Sequence, residues 1–181
     1  MKKTTLFLSL IISAGSLFAQ KKTTTSAIVS FDASTSIDAL PKADNKTVIA
    51  AIDTKTGSVQ FEANVKNFAF SNPMMQEHFN GEKWLNSDEF PKLTFKGNIV
   101  NPSSVDFATN GSYKTEVEGQ LSVKGKEQKV KVPGTIVVND GSFAVSANFS
   151  IALADYDING AQVISGKVSK NPKITVTADF K

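Results

Sequence analysis

The stretch VKVPGTIVVNDGSFAVSANFSI, residues 130–151, decides the fold class of this chain. On either side of Asn139-Asp140-Gly141, apolar residues recur at every second position, with Gly134 taking one of these places. A period of two is typical of strands with one buried and one wet face. Asn-Asp-Gly between two such runs is a strong turn signal. The stretch therefore predicts two antiparallel strands joined by a tight turn.

The same alternation recurs along most of the chain from Ser26 onward. The further runs lie at residues 29–33, 48–52, 59–65, 93–99, 117–123 and 174–180. The phase slips by one residue between Val65 and Phe68, which predicts a bulge or a strand end near Asn67. About eight strands at regular spacing predict an all-β sandwich or barrel.

One segment, near residues 73–85, does not alternate and is predicted to be a short helical excursion. Asn72 suits the N-cap, Pro73 suits the first helical position, and Gly81 lies where a glycine would end the helix. Met74 pairs with His78, and Met75 with Phe79, at a spacing of four residues. GEKWLNSDEFPKLTFKG, residues 81–97, follows and contains Trp84, Leu85 and Phe90.

The first 19 residues have the composition of a secretory signal peptide. Met1-Lys2-Lys3 is basic, residues 6–18 are apolar or small, and Ala19 is a small residue at the expected cleavage site. A membrane anchor is the alternative, which the shortness of the apolar run disfavours. We expect cleavage after Ala19, a periplasmic or secreted location, and a single domain over residues 20–181. The chain has no cysteine, so neither a disulfide nor a thiol-linked lipid anchor is expected.

The charge balance argues against nucleic acid as a partner. The chain has 20 basic and 17 acidic side chains, and removal of Lys2 and Lys3 leaves 18 basic ones. Such a balance provides no large cationic patch of the kind that phosphate backbones require.

The sequence offers little that is typical of an enzyme, and we expect no catalysis, no cofactor and no metal. His78 is the only histidine, which removes most nucleophile–base pairs and most transition-metal sites. It is interpreted either as a partly buried structural residue or as a head-group contact. Asp155–Gly160, DYDING, matches the start of a calcium loop, but the twelfth position is Gly166 rather than glutamate. We interpret that segment as a polar loop.

The sizes of the predicted inward residues suggest a hollow interior. Small residues recur on the inner face, at Ala50, Ala63, Gly97, Gly119, Gly134 and Ala147. Bulky apolar residues concentrate in and beside the helical excursion instead. A barrel of about eight strands has an interior that side chains just fill or that holds one slender ligand. Both readings stay open on this pattern alone: an apolar tunnel with a plug at one mouth, or a filled core capped by large residues.

Three clusters, in order, resemble the YceI-like family of exported proteins. The first is Gln76-Glu77-His78-Phe79, the second runs from Asn86 through Phe90-Pro91 to Gly97, and the third is VEGQLSVKG, residues 117–125. The family pattern is a histidine before an apolar residue, S-x-x-F, an aromatic residue before proline, T-F, and later G-x-L-x-x-x-G. The resemblance covers about residues 31–180, and GEKW between histidine and S-x-x-F departs from it.

The resemblance implies an antiparallel up-and-down, lipocalin-like barrel whose tunnel holds a polyisoprenoid or another long-chain amphiphile. The expected function is sequestration or carriage of such a lipid without chemistry. Transient membrane contact and a homodimer are left open. A filled-core structural or protein-interaction module is the alternative, and an enzyme acting on the bound lipid is the weakest. The predicted tunnel and rim residues are Phe61, Phe68, Phe70, Met74, Met75, Phe79, Trp84, Leu85, Phe90, Phe95 and Leu121. The predicted head-group contacts are His78, Asn86 and Asp88.

Overall fold

A computed structural model describes residues 20–181, so the predicted signal peptide at residues 1–19 lies outside the described residues. The described chain is mostly strand, with two short helices. The strands are β1 Lys21–Asp32, β2 Lys42–Asp53, β3 Ser58–Asn64, β4 Ala69–Phe70, β5 Lys92–Ile99, β6 Gly111–Val123, β7 Lys126–Asn139, β8 Ser142–Ser150 and β9 Lys173–Phe180. The helices are α1 Pro73–Asn80 and α2 Ala161–Ile164.

The strands form a closed antiparallel barrel. Each long strand pairs with its neighbour in the order β1-β9-β8-β7-β6-β5-β3-β2, and β1 also pairs with β2, which closes the ring. The two-residue strand β4 lies outside this ring and pairs with the start of β2, Ala43 with Phe70 and Asp44 with Ala69. The predicted all-β, up-and-down barrel of about eight strands is confirmed.

The two tightest hairpins use residues that tolerate a left-handed backbone. Asp140 and Gly141 have φ values of 47° and 79°, and Lys124 and Gly125 have 50° and 71°. Two successive positive φ values are the geometry of the type I′ turn, whose twist matches that of the strands it joins. The predicted hairpin at residues 130–151 is therefore confirmed, with β7 ending at Asn139 and β8 starting at Ser142.

The predicted break near Asn67 is also present. β3 ends at Asn64, and a 3₁₀ turn over Val65–Asn67 leads into β4. In α1, the side chain of Asn72 accepts a hydrogen bond from the Met74 N–H at 2.9 Å, as expected of an N-cap. The helix ends at Asn80, earlier than the predicted excursion. Gly81 follows it with a φ of −70°, a value that any residue can adopt.

The connections divide between the two ends of the barrel. The end that we call the helical end carries residues 33–41, residues 65–91 with α1, the turn at 124–125, and residues 151–172 with α2. The opposite end, called the turn end, carries residues 54–57, 100–110 and 140–141. All the long connections except 100–110 therefore lie at one end. Within residues 20–181, no helix has the length and apolar character needed to cross a bilayer.

Candidate functional site: an apolar cavity inside the barrel

The barrel encloses a cavity of about 170 Å³ with a wall made almost entirely of carbon. Its wall draws on every long strand of the barrel and on residues from the helical end. The side chains of Val29, Val117, Leu121, Val145, Ala147, Phe149, Ile174 and Val176 surround its middle. None of the cavity residues within the described chain carries a titratable side chain. This wall can bury hydrocarbon and offers a charged group no partner.

A gradient of burial along neighbouring strands locates the hollow. Phe143 in β8 and Phe180 in β9, near the turn end, are 4% and 1% exposed. Further along the same inward faces, Val145, Ala147 and Val176 are only half-buried. An inward residue that keeps accessible surface has no neighbour across the interior, because a filled core would cover it. The core is therefore packed at the ends and open between them.

An aromatic cluster closes the helical end of the cavity. Phe79 of α1 lies at its centre, with ring centroids 4.9 Å from Phe70, 5.5 Å from Phe68 and 5.6 Å from Phe31. Such distances and tilted geometries are favourable for aromatic pairs. The Asn72 cap and Pro73 start α1 so that its single buried residue, Phe79, points into the barrel. We call Phe31, Phe68, Phe70 and Phe79 the helical-end plug.

A second aromatic cluster closes the turn end. The ring centroid of Phe143 is 4.8 Å from that of Phe180, with which it stacks, and 5.0 Å from that of Phe107. Phe107 comes from the connection between β5 and β6, so the loop is folded back over the barrel mouth. The sequence did not suggest a plug at this end, because these three aromatics lie far apart in the chain.

Seven of the predicted tunnel residues line the cavity wall. They are Phe61, Phe68, Phe79, Trp84, Leu85, Phe95 and Leu121. Trp84 and Leu85 are buried although they lie in a turn, since that turn follows α1 directly and closes over the helical end. Contact between these residues and a ligand stays a prediction.

The other four predicted apolar residues do not line the cavity. Met74 is 64% exposed on the outer side of α1, and Met75 is half-buried on the same helix. Phe70 packs against Phe31 and Phe79 on the outer side of the plug. Phe90 covers the β6–β7 turn, where a Cβ added to Gly125 would lie 2.6 Å from its ring. These four residues were predicted as site residues because they lie close to the helix in the sequence. Only one face of the helix and its turns points into the barrel, so residues on the other face do not reach the cavity.

The three predicted head-group contacts lie on the outer surface of the helical end. His78 is exposed in the last turn of α1. The Asn86 side-chain N–H donates to the Glu89 carboxylate at 2.7 Å. Asp88 forms an exposed ion pair with Lys66 at 2.7 Å. None of them belongs to the cavity wall, so they could meet only a part of a ligand that protrudes from the barrel.

Five of the six small residues predicted to make room have one of two roles, and the sixth, Ala50, is buried and does not line the cavity. Ala63, Gly134 and Ala147 line the cavity, as expected. Gly97 and Gly119 are a cross-strand pair, and a Cβ on Gly97 would lie 2.5 Å from the Glu118 carbonyl oxygen and 2.7 Å from Cζ of Phe95. The prediction that these two glycines leave room for a ligand was wrong. They allow the backbones of β5 and β6 to approach closely and leave space for the Phe95 ring.

Several wall residues were not predicted as site residues. Val29, Phe31, Leu93, Val117, Phe149, Ile151, Ile174 and Val176 line the cavity. The period-two alternation had already placed most of them on inward faces, so the signal was present. What it lacked was the position of each inward residue along the barrel axis.

Asp155 and Tyr156 end the 3₁₀ turn Leu153–Tyr156, and a loop follows to Gly160. The predicted polar loop is present, but the Tyr156 and Ile158 side chains in this segment are buried. Asp157 has a left-handed φ of 55° and pairs with Lys126 at 2.8 Å. The hydrogen bond and charge of Lys126 lower the pKa of Asp157, and the pKa of Lys126 is raised in turn. Among residues 20–181, no cluster of metal-ligating side chains occurs.

The fold and the cavity define a closed antiparallel β-barrel with an apolar interior. A sequence model described as the YceI-like domain matches residues 15–180, and the chain therefore belongs to the YceI-like family. Among curated proteins, no sequence matches this chain significantly.

Solved structures with the same fold include three informative examples. A polyisoprenoid binding domain from Saccharophagus degradans is 12% identical with a TM-score of 0.73, covering 90% of this chain and 98% of that one. Burkholderia cenocepacia BcnA is 21% identical with a TM-score of 0.66, and the coverages are 84% and 96%. The Campylobacter jejuni YceI protein is 16% identical with a TM-score of 0.54, and the coverages are 75% and 81%. At these identities the likeness establishes the fold.

Proposed function

We propose that this protein holds the hydrocarbon chain of an amphiphilic lipid inside its barrel and carries or sequesters it without chemistry. The observation that supports this most directly is the carbon-walled cavity between two aromatic plugs. The cavity weighs against the filled-core alternative, which required a solid interior. Carriage without chemistry is supported by a wall whose only side-chain hydroxyls, among the described residues, are those of Thr94, Thr115 and Thr135, with no acid or base beside them.

The size of the cavity limits how much of a ligand it buries. One water-sized group needs about 10–15 Å³ of such space, so 170 Å³ accommodates on the order of a dozen groups. At about 0.8 kcal/mol per buried methylene, a dozen contribute roughly 10 kcal/mol. Loss of translational and rotational freedom opposes this by at least about 4 kcal/mol. The net corresponds to a dissociation constant of tens of micromolar, before any contact outside the cavity.

We infer an isoprenoid as the ligand class. The solved Saccharophagus degradans domain with the same fold is described as polyisoprenoid binding, and this supports the inference. A branched chain also suits a wall of valines, isoleucines and phenylalanines, which is irregular rather than smooth. A polyisoprenoid longer than the cavity would leave its remaining units and its polar end outside the barrel.

We further propose that the protein is exported and acts in the periplasm or outside the cell. The basic start, apolar run and small residue at Ala19 support this. Edman sequencing of protein secreted from the native host should begin at Gln20. Retention of Met1 on the purified protein would contradict export by this route.

We also propose transient contact between the helical end and a lipid surface. Four of the seven most exposed large apolar residues lie in connections at this end: Ile37, Leu40, Met74 and Ile164. Ile164, at 77% exposed, is the most prominent. Ile164→Ser should reduce co-sedimentation with phosphatidylglycerol vesicles several-fold, whereas Val137→Ser, on the barrel wall, should not. Equal effects of the two substitutions would contradict this orientation.

The function itself is tested by extraction. Organic extraction of protein purified from its native host, followed by mass spectrometry, should yield a stoichiometric isoprenoid lipid. Uptake of added farnesol or a longer polyprenol by lipid-free protein provides the second measurement. Repeated absence of lipid from the native protein, together with no uptake of either alcohol, would refute the proposal.

A further inference from the structure

The barrel wall is incomplete between β7 and β8. Their ladder runs from the pair Asn139–Ser142 at the turn end to the pair Gly134–Ala147 and stops there. β7 continues for eight more residues, Lys126–Pro133, which pair only with β6. β8 continues to Ser150, and its last residues pair only with β9. We call this open stretch, residues 126–133 and 148–150, the β7–β8 seam.

Pro133 accounts for where the ladder stops. Proline has no backbone N–H, so it cannot donate a ladder hydrogen bond, and prolines within sheets are confined to edges and bulges. Pro133 directly precedes the last paired residue, Gly134, and still has Glu116 as its partner in β6. β7 is thus paired normally on its β6 side and is an edge strand on its β8 side over this half.

The cavity reaches the seam. Val132 and Gly134 on β7, and Ala147 and Phe149 on β8, all belong to the cavity wall and flank the place where the strands separate. Three of these four residues, all but Val132, are only half-buried. By contrast, both barrel ends are closed by aromatic plugs. At the seam the cavity wall therefore lacks the strand ladder that closes it elsewhere between β7 and β8.

A short segment bridges the seam near the helical end. The 3₁₀ turn Leu153–Tyr156 and the following Asp157 lie against β7, and we call Leu153–Asp157 the latch. The Gln128 side-chain N–H donates to the Asp155 carbonyl oxygen at 2.9 Å, and Lys126 pairs with Asp157 at 2.8 Å. These contacts are side-chain contacts on an exposed surface. They are weaker than a strand ladder, in which successive backbone bonds act together. Beneath them the side chains of Leu153 and Tyr156 are 3% and 1% exposed, so the latch opens only when these two side chains leave the core.

We propose that the β7–β8 seam is the lateral portal through which a hydrocarbon chain enters and leaves the cavity, and that the latch opens to admit it. This inference rests on the proposed function. It also explains how a cavity for about a dozen carbons could serve a longer isoprenoid. The rest of the chain and the polar end would emerge through the seam, where the edges of β7 and β8 have no strand partner.

The test is to cross-link the latch to β7 so that it cannot open. The chain has no cysteine, so Lys126→Cys with Asp157→Cys supplies the only two thiols. Both side chains are more than half exposed. Because Asp157 has a left-handed φ of 55°, which cysteine adopts less readily, the melting temperature of the unlinked variant is first compared with that of the parent protein. A short bis-methanethiosulfonate linker, similar in length to the lysine that it replaces, joins the two thiols and is released by a reductant. The matched control is Glu62→Cys with Lys92→Cys, an ion pair at 2.8 Å across the β3–β5 ladder, away from the seam.

Trp84, the only tryptophan and part of the cavity wall, reports uptake. Dibromostearic acid is the probe, since its bromines quench tryptophan fluorescence on contact. In stopped-flow mixing, the linked latch variant should take up and release this probe at least tenfold more slowly than its reduced form. The final extent of quenching should be the same, because the linker ties the latch in the geometry it has at rest. Reductant should restore the rate.

Two results overturn the portal. One is an unchanged rate after complete linking at positions 126 and 157, which would direct the search to the plugs instead. The other is an equal slowing by the control linker at positions 62 and 92, which would indicate general rigidity. In either case binding, and hence the proposed function, stands. If the unlinked variants and the parent protein fail to quench at all, no hydrocarbon chain of this probe reaches the cavity and the portal fails, whereas the proposed function is decided separately by lipid extraction and polyprenol uptake.

Discussion

Ala147→Phe should block ligand binding while leaving the barrel at least as stable as before. Ala147 lies on the inward face of β8, half-buried in the cavity wall, opposite Gly134 of β7. The substitution adds a six-carbon ring to a space that holds on the order of a dozen carbon-sized groups. A ligand would therefore lose contacts for about six methylenes, worth roughly 5 kcal/mol at about 0.8 kcal/mol each. That corresponds to a weakening of binding by more than about a thousandfold.

In a hollow barrel, Ala147→Phe should leave the free energy of unfolding unchanged or raise it, whereas in a filled barrel it would lower it. A ring inserted into a packed core costs typically about 1–3 kcal/mol. A ring inserted into a hollow instead gains contacts with the wall, by up to about 2 kcal/mol if it fits. Urea unfolding of the lipid-free protein measures the sign of the change. Titration with dibromostearic acid, with Trp84 as the reporter, measures the affinity.

Ala144→Phe is the matched control for this experiment. Ala144 lies three residues earlier on the same strand and belongs to the outward face, paired with Val137 and Asp179. The Ala144→Phe variant should bind dibromostearic acid with the same affinity as the parent protein. A loss of more than about 2 kcal/mol in Ala147→Phe, or unchanged affinity in that variant, would refute the hollow interior.

Three further predictions concern the rest of the barrel. Phe79→Ala removes the centre of the helical-end plug and should lower the free energy of unfolding by about 3–5 kcal/mol in urea denaturation; a loss below 1 kcal/mol would mean that the plug is not a structural element. Gly119→Ala should lower the melting temperature by several degrees, because its Cβ would lie 2.3 Å from the Lys96 carbonyl oxygen of β5, whereas Gly134→Ala, whose Cβ would lie 3.2 Å from the Ser146 carbonyl oxygen, should cost clearly less; similar melting temperatures would contradict this. Burial, with a smaller contribution from the charge of Asp155, raises the pKa of Tyr156 to about 12. The neutral phenol is thus favoured in the folded state, and stability should fall as the pH rises from about 10, where an unfolded tyrosine ionises, through 12. Tyr156→Phe should show a smaller loss over that pH range in urea titrations, and identical slopes would exclude this role for the phenol.

The strands were predictable because the alternation of apolar and polar residues within each strand indicates which side chains face the interior. Alternation at residues 130–151 indicated two strands and a hairpin, and the φ values of Asp140 and Gly141 confirm the turn. The one-residue slip after Val65 indicated a strand end, and β3 ends at Asn64. The Asn72 and Pro73 signals located the start of α1. All of these are local effects, in which a residue's own backbone preference or its nearest neighbours decide the structure.

The site was only partly predictable. Alternation identifies inward side chains but says nothing about their height along the barrel axis or about what lies opposite them. Gly97 and Gly119 looked like open space, yet they approach each other's backbone across two strands. Phe90 looked like a rim residue, yet it covers the β6–β7 turn. Both errors have the same physical origin. Open space inside a barrel depends on how segments that are far apart in the sequence pack against one another.

The sequence by itself determined the all-β class, the strands and their turns, and the likeness to the YceI-like family, because hydrophobic period, turn chemistry and short motifs are properties of neighbouring residues. Only the tertiary structure decided that the interior is hollow, that aromatics from both ends close it, and that the ladder between β7 and β8 stops at Gly134 and Ala147. A cavity and a gap exist only where chain segments far apart in sequence come close without touching. The strand ladders and plugs set that separation, and no single stretch of residues encodes it.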